Sequence, residues 1–183
     1  MTTITVQTME RVVNALMILA IAILLCMSFI LQYGFNELPC PLCLLQRVGF
    51  IITSIGFMLN LRFGLRPSHY AITLLGALFT AFVALRQVAL HVLPGTGAYG
   101  SSIFGFHLYT WSFIIAIGIV LFTTIILGLD IQYIESKKKP AAFTSVLHGL
   151  FALIFILTVG NFISTLIECG LGQCPDNPLH YLL

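Results

Sequence analysis

Five long, continuous apolar runs constrain this chain more than any other feature. They lie at roughly residues 12–33, 44–61, 70–93, 109–129 and 143–167, and a helix needs about 20 mainly apolar residues to cross the hydrocarbon core. The runs lack the alternation of a membrane β-barrel, so helices are expected. Only 8% of the 183 residues are charged and 59% are hydrophobic, whereas an ordinary soluble domain carries about a quarter charged residues. A net charge of +2 provides no basic footprint for nucleic acid. The expected architecture is an all-α membrane protein: one integral domain over 1–183, a bundle of five transmembrane helices, and a tail over 168–183.

The first run follows Glu10-Arg11 and is too long for the core of a secretion signal. No Ala-x-Ala-like cleavage site follows it, so it reads as a retained helix. Arg11, Arg62, Arg66, Lys137, Lys138 and Lys139 fall on one side if the chain alternates across the membrane. The opposite side, comprising 34–43, 94–108 and the tail, has neither Lys nor Arg. By the positive-inside rule the N-terminus is expected in the cytoplasm and the C-terminal tail outside. The Lys137–Lys139 run then needs no meaning beyond topology.

That topology puts four of the five cysteines on the outer side, in the oxidising compartment. Cys40-Pro41-Leu42-Cys43 opens the second helix, and Cys169 and Cys174 follow the fifth. Cys26 lies in the middle of helix 1 and reads as a packing residue. Cys43 falls near a helix N-terminus, where unpaired N–H groups and the helix dipole favour a thiolate. Arg47 is four residues on, one turn along the same face, where a fixed cation adds to that stabilisation. Thiolate is the attacking form in disulfide exchange. A static disulfide or a metal pair remains an alternative for Cys40/Cys43, and a staple closing a short loop for Cys169/Cys174.

An arginine at mid-bilayer costs about 2.5–3.5 kcal/mol on insertion scales, so Arg47 and Arg86 ask for a reason. Arg86 either snorkels or pairs with Glu168, while Gln87 and His91 share a face of helix 3 near the same level. Electrons leaving thiols need a carrier. The chain has no haem-attachment motif, nucleotide fingerprint or flavin-type glycine motif. A lipid-dissolved quinone needs only an apolar groove with a polar group near its carbonyls, and Arg47 beside Cys43 suits that task. The 94–108 loop, running on into Tyr109 and Trp111, fits the interfacial aromatic belt and offers a lid near the thiols.

The stretch Cys40-Pro-Leu-Cys43-Leu-Leu-Gln46-Arg47, with Arg86-Gln87, His91 and Pro94 at the end of helix 3, resembles the DsbB-type disulfide bond formation proteins of bacterial inner membranes. About 130 residues, helices 1 to 4, follow that family's order. The resemblance implies a membrane thiol:quinone oxidoreductase using ubiquinone or menaquinone, with active cysteines on the periplasmic side. It implies that Cys40 and Cys43 are the quinone-coupled pair, that Arg47 contacts the quinone, and that His91 contributes by its position. The family carries its second pair between helices 3 and 4, where this chain has no cysteine. Cys169 and Cys174, delivered by an added fifth helix, would take over exchange with a soluble thioredoxin-fold thiol oxidase resembling DsbA.

Two other readings stand beside this one. In the first, the four outer cysteines hold a structural zinc ion or form structural disulfides in a non-catalytic membrane protein. In the second, a reductase runs electrons outward, although no cysteine lies on the cytoplasmic side to collect them.

Overall fold

The computed structural model describes residues 3–92, 100, 102–129, 133, 142–175 and 181. Its elements in chain order are α1 (Thr3–Gly34), α2 (Pro41–Phe63), α3 (Pro67–His91), β1 (Ser102–Ile103), β2 (Phe106–His107), α4 (Leu108–Leu127) and α5 (Ala142–Cys169). All five helices contain a stretch long and apolar enough to cross a membrane. The chain is a multi-pass helical membrane protein, as its apolar runs predict. Residues 93–99, the Lys137–Lys139 run and His180 lie outside the described residues.

Helix boundaries differ from the hydropathy reading where polar groups close the ends. Helix α2 starts at Pro41 rather than near 44, because Cys40 occupies the N-cap in extended conformation and its sulfur accepts from the Cys43 N–H. Proline at the first helical position loses no intrahelical bond and carries a φ already suited to the helix. Helix α3 likewise opens on Pro67. Gly64 ends α2 at φ 97°, a backbone region that glycine enters without steric cost.

Helix α2 sits at the centre, packed on α1, α3 and α5, while α4 packs on α3. The α2–α3 seam is made of glycine and threonine. A Cβ on Gly76 would stand 2.5 Å from the Thr53 backbone nitrogen, and one on Gly56 would stand 2.6 Å from that of Thr73. Apolar lipid offers little drive for helices to associate, so close backbone approach through small residues replaces it. The threonine hydroxyls stay satisfied within their own helices, Thr53 donating to the Gly49 carbonyl at 2.8 Å and Thr80 to that of Gly76 at 2.9 Å. Ile18, Ile21 and Leu25 of α1, Phe50 and Phe57 of α2, and Ile154 and Leu157 of α5 share the buried core. Cys26 packs against this cluster, partly buried, as the sequence suggests.

A polar network ties the end of the bundle away from the cysteines. Asn60 donates to Asn14 Oδ1 at 3.1 Å, Asn14 donates to the Tyr70 hydroxyl at 3.1 Å, and His69 Nδ1 donates to Asn60 Oδ1 at 3.1 Å. These buried groups join α1, α2 and α3.

Candidate active site

At the other end, the start of α2, the end of α3, the hairpin before α4 and the end of α5 converge. Cys40 and Cys43 are both free thiols. Their spacing on the first turn puts the Cys40 sulfur 3.2 Å from the Cys43 backbone nitrogen. Gln87, 0% exposed, reaches across from α3 and donates to the Cys40 sulfur at 3.1 Å and to the Cys43 sulfur at 3.5 Å. Its Oε1 accepts from Gln46 at 2.7 Å and lies 3.7 Å from the Cys43 sulfur. The hydrogen bond with Cys43, then burial, pushes the Cys40 thiol well above the usual cysteine range. Cys40 therefore keeps its proton.

Arg47 lies one turn beyond Cys43 and is buried. It donates to Gln32 Oε1 at 2.8 Å and to the Ser28 carbonyl at 3.1 Å, and its guanidinium sits 4.9 Å from the centre of the Phe29 ring. All three partners belong to α1. Gln32 in turn donates to Ser164 Oγ of α5 at 2.7 Å and reaches the Tyr181 hydroxyl at 3.5 Å. The buried cation is thereby tied to α1, α5 and the tail.

Cys43, Gln46 and Arg47 all line one cavity of about 390 Å³. Its other walls are mainly apolar, with Leu25, Phe50, Leu108 and Ile115 among them, and Glu37 at its edge. The β1–β2 hairpin turns through Phe104 (φ 52°) and Gly105 (φ 83°), and Ile103 and Phe104 close one side of the cavity. Trp111 holds the hairpin by donating to the Ile103 carbonyl at 2.9 Å. The part of the 94–108 loop that is described thus lies over the cavity that Cys43 enters; 94–99 and 101 lie outside the described residues.

His91 does not line the cavity. Its Nδ1 donates to the Gln87 carbonyl at 2.8 Å, and its ring stacks on Tyr109 at 5.4 Å. Tyr109, not His91, forms the wall. The suggested Arg86–Glu168 pair does not form. Arg86 is exposed on the outer face of α3, and Glu168 interacts electrostatically with Arg47 instead. Helix α3 is rotated so that Gln87 points inward, which turns its neighbour Arg86 away.

Cys169 ends α5 and is bonded to Cys174, with 4.4 Å between the Cα atoms. Gly170 makes the turn at φ 62°. A zinc tetrahedron would need all four sulfurs as thiolates. Two of them are bonded to each other, and no group of three His, Cys, Asp or Glu side chains among the described residues could hold a metal.

Sequence reasoning placed Cys40, Cys43 and Arg47 together but missed Gln87 as the sulfur clamp, Gln32 as the bridge and Glu168 as a neighbour of Arg47. A polar residue on an inward helix face was the available signal in each case. Gln87 shares a face of helix 3 with His91, four residues on.

The fold and this site define a class: helical membrane proteins with an amide-clamped Cys-x-x-Cys at a helix entrance and an apolar cavity beside it. The family model for the disulfide bond formation protein DsbB matches residues 10–99, the segment that holds most of α1, all of α2 and α3, the cysteine pair and Arg47. A curated relative, disulfide bond formation protein B of Acinetobacter baylyi, is 35% identical over 89 residues, which is 46% of this chain. That match covers 52% of the relative, so the chain spans about half the length of the curated protein it matches. No solved structure matches the chain significantly. The matched region ends before α4, so α4, α5 and the Cys169–Cys174 disulfide lie beyond it.

Proposed function

We propose that this chain is a thiol:quinone oxidoreductase of a bacterial inner membrane, acting as one integral membrane domain with both cysteine pairs on the periplasmic side. Its soluble partner is a thioredoxin-fold thiol oxidase resembling DsbA. The observation that carries the proposal is the meeting of Cys43, Gln46 and Arg47 on one apolar cavity of about 390 Å³. A volume of that order takes a quinone head group, since small-molecule sites run from about 300 to 1,000 Å³.

The residues fit such a ligand. Phe50, Leu108 and Ile115 offer apolar walls, while Gln46 and Arg47 offer N–H donors beside the Cys43 sulfur. Arg47 is preorganised by Gln32 and Ser28 and needs no rearrangement to present its charge. A bound quinone supplies a two-electron, two-proton acceptor. The tail disulfide accepts two electrons from the reduced partner by thiolate attack and is left as two thiols. Attack on an oxidised Cys40–Cys43 bond then re-forms the tail disulfide and reduces the head pair, each exchange passing through a mixed disulfide. The Cys40–Cys43 bond would re-form with loss of two electrons and two protons from the site, the acceptor chemistry that a quinone held beside Gln46 and Arg47 would supply.

Purified protein in lipid nanodiscs, supplied with a reduced thioredoxin-fold dithiol protein and ubiquinone or menaquinone, tests this. Quinone reduction should track partner oxidation one for one, and Cys43→Ser should abolish it. Unchanged turnover in that variant would overturn the proposal.

A further inference from the structure

The fifth helix brings a carboxyl group into the thiol site. Glu168 is 1% exposed, and its Oε2 is buried without a hydrogen-bond partner among the described residues. Ser164, four residues earlier, lies on the same face of α5 and joins Arg47 through Gln32, Ser164 Oγ accepting at 2.7 Å and Arg47 donating at 2.8 Å. That bridge fixes the rotation of α5, and Glu168 follows one turn nearer the thiols. Arg47 interacts electrostatically with both Cys43 and Glu168, and Glu168 with both Arg47 and Cys43. Two groups able to carry a negative charge therefore face one buried cation. Among the described residues, the other ionisable groups around them are Cys40 at the N-cap, Tyr33 of α1, Glu37 and Tyr109 on the cavity wall, and Tyr181 of the tail.

A buried charge is tolerated when it is matched by its opposite, and excess charge of either sign in such a place is costly. A single cation balances a single anion. We propose that Cys43 and Glu168 share one negative charge opposite Arg47, so that Glu168 is protonated when Cys43 is a thiolate and ionised when Cys43 is in a disulfide. When a dithiol donor gives two electrons to the Cys40–Cys43 disulfide, the S–S bond breaks, Cys40 takes one of the two protons released and Glu168 takes the other, leaving Cys43 a thiolate; reoxidation gives both protons back. The charge of the pocket then stays constant through the redox cycle. Glu168 is a positioning residue in this scheme, acting on Cys43 through Arg47.

The inference rests on Cys43 being the reacting thiol but not on a quinone. Its test uses the reduced full-length protein in nanodiscs without quinone or partner. Alkylation of Cys43 by iodoacetamide is followed against pH, with the Cys43 peptide quantified by mass spectrometry. In Glu168→Gln the competing anion is gone, so the midpoint should move down by about one pH unit or more, which makes alkylation about tenfold faster below the midpoint. Glu168→Asp should stay near the wild-type midpoint. Reduced-minus-oxidised infrared spectra of the wild type should show a protonated carboxyl C=O band gained on reduction, absent from Glu168→Gln. A folded Glu168→Gln variant with an unmoved midpoint overturns the inference, and so does a wild-type infrared difference without that band. If Glu168→Gln does not fold, the wild-type infrared difference decides alone. A shifted midpoint in a protein without quinone turnover would sink the quinone reading and leave the shared charge standing.

Discussion

Gln87 donates to the Cys40 sulfur at 3.1 Å from a position on the neighbouring helix, 47 residues away in the chain. The same amide reaches the Cys43 sulfur at 3.5 Å, and its oxygen is held by Gln46 at 2.7 Å. One side chain thus fixes both thiols against α3.

Gln87→Ala removes the clamp and leaves the Gln46 amide without its partner. Loss of a buried hydrogen-bond partner costs about 1–3 kcal/mol, read as a lower unfolding midpoint in detergent. Alkylation should show both thiols more accessible, and turnover with quinone should fall by roughly tenfold if alignment loses about 1.4 kcal/mol. Gln87→Leu with full turnover would remove the assigned role.

Arg47→Ala leaves Gln32 Oε1 and the Ser28 carbonyl without their donor. Quinone-dependent turnover should drop by roughly tenfold to a hundredfold, as the loss of one or two charge-assisted hydrogen bonds of about 1.5–3 kcal/mol would give. Exchange between the tail disulfide and a reduced partner should remain measurable by trapping the mixed disulfide. Arg47→Lys should recover only part of the loss, because a single ammonium cannot span both α1 partners and stack on Phe29. Equal quinone kinetics with and without Arg47 would contradict the cavity assignment.

Gly76→Leu places a side chain where a Cβ already stands 2.5 Å from the Thr53 backbone nitrogen. Overpacking of this kind typically costs about 1–3 kcal/mol. Because the contact is with backbone, the cost should sit at the upper end, and displacement of α3 should also slow quinone reduction by moving Gln87. Thermal unfolding in nanodiscs checks the first effect and turnover the second.

Asn60→Ala breaks the network at the opposite end of the bundle, where Asn60 meets Asn14, His69 and the Arg66 backbone N–H at 3.1 Å each. Stability should fall by about 1–3 kcal/mol for the buried groups left unpaired. The quinone KM of the folded fraction should stay within about twofold, since the network and the cavity share no residue. A large change in KM would mean that the two ends are coupled.

The five spans, the thiol pair at the head of α2 and the cation one turn beyond it were legible in the sequence. Each depends on contacts within a single helix or on hydropathy summed over about 20 residues. Even the early start of α2 was foreshadowed by Pro41, although the capping role of the Cys40 sulfur was not. What stayed hidden were the contacts between helices: Gln87 on the sulfurs, Gln32 between Arg47 and Ser164, and Glu168 beside Arg47.

The reason lies in the solvent. In water an apolar stripe tells which side of a helix faces inward, but in lipid both the bundle-facing and lipid-facing sides are apolar. Leu75 and Phe82 of α3 are exposed while Ala77 and Ala84 are buried, the reverse of what side-chain hydrophobicity alone would suggest. Rotation is set by the Gly/Thr seam between α2 and α3 and by a few buried polar bridges. The sequence by itself therefore determined which segments cross the membrane and which thiols sit at one helix entrance. Only the tertiary structure decided which polar groups from other helices meet them, because that depends on how each helix is turned about its own axis.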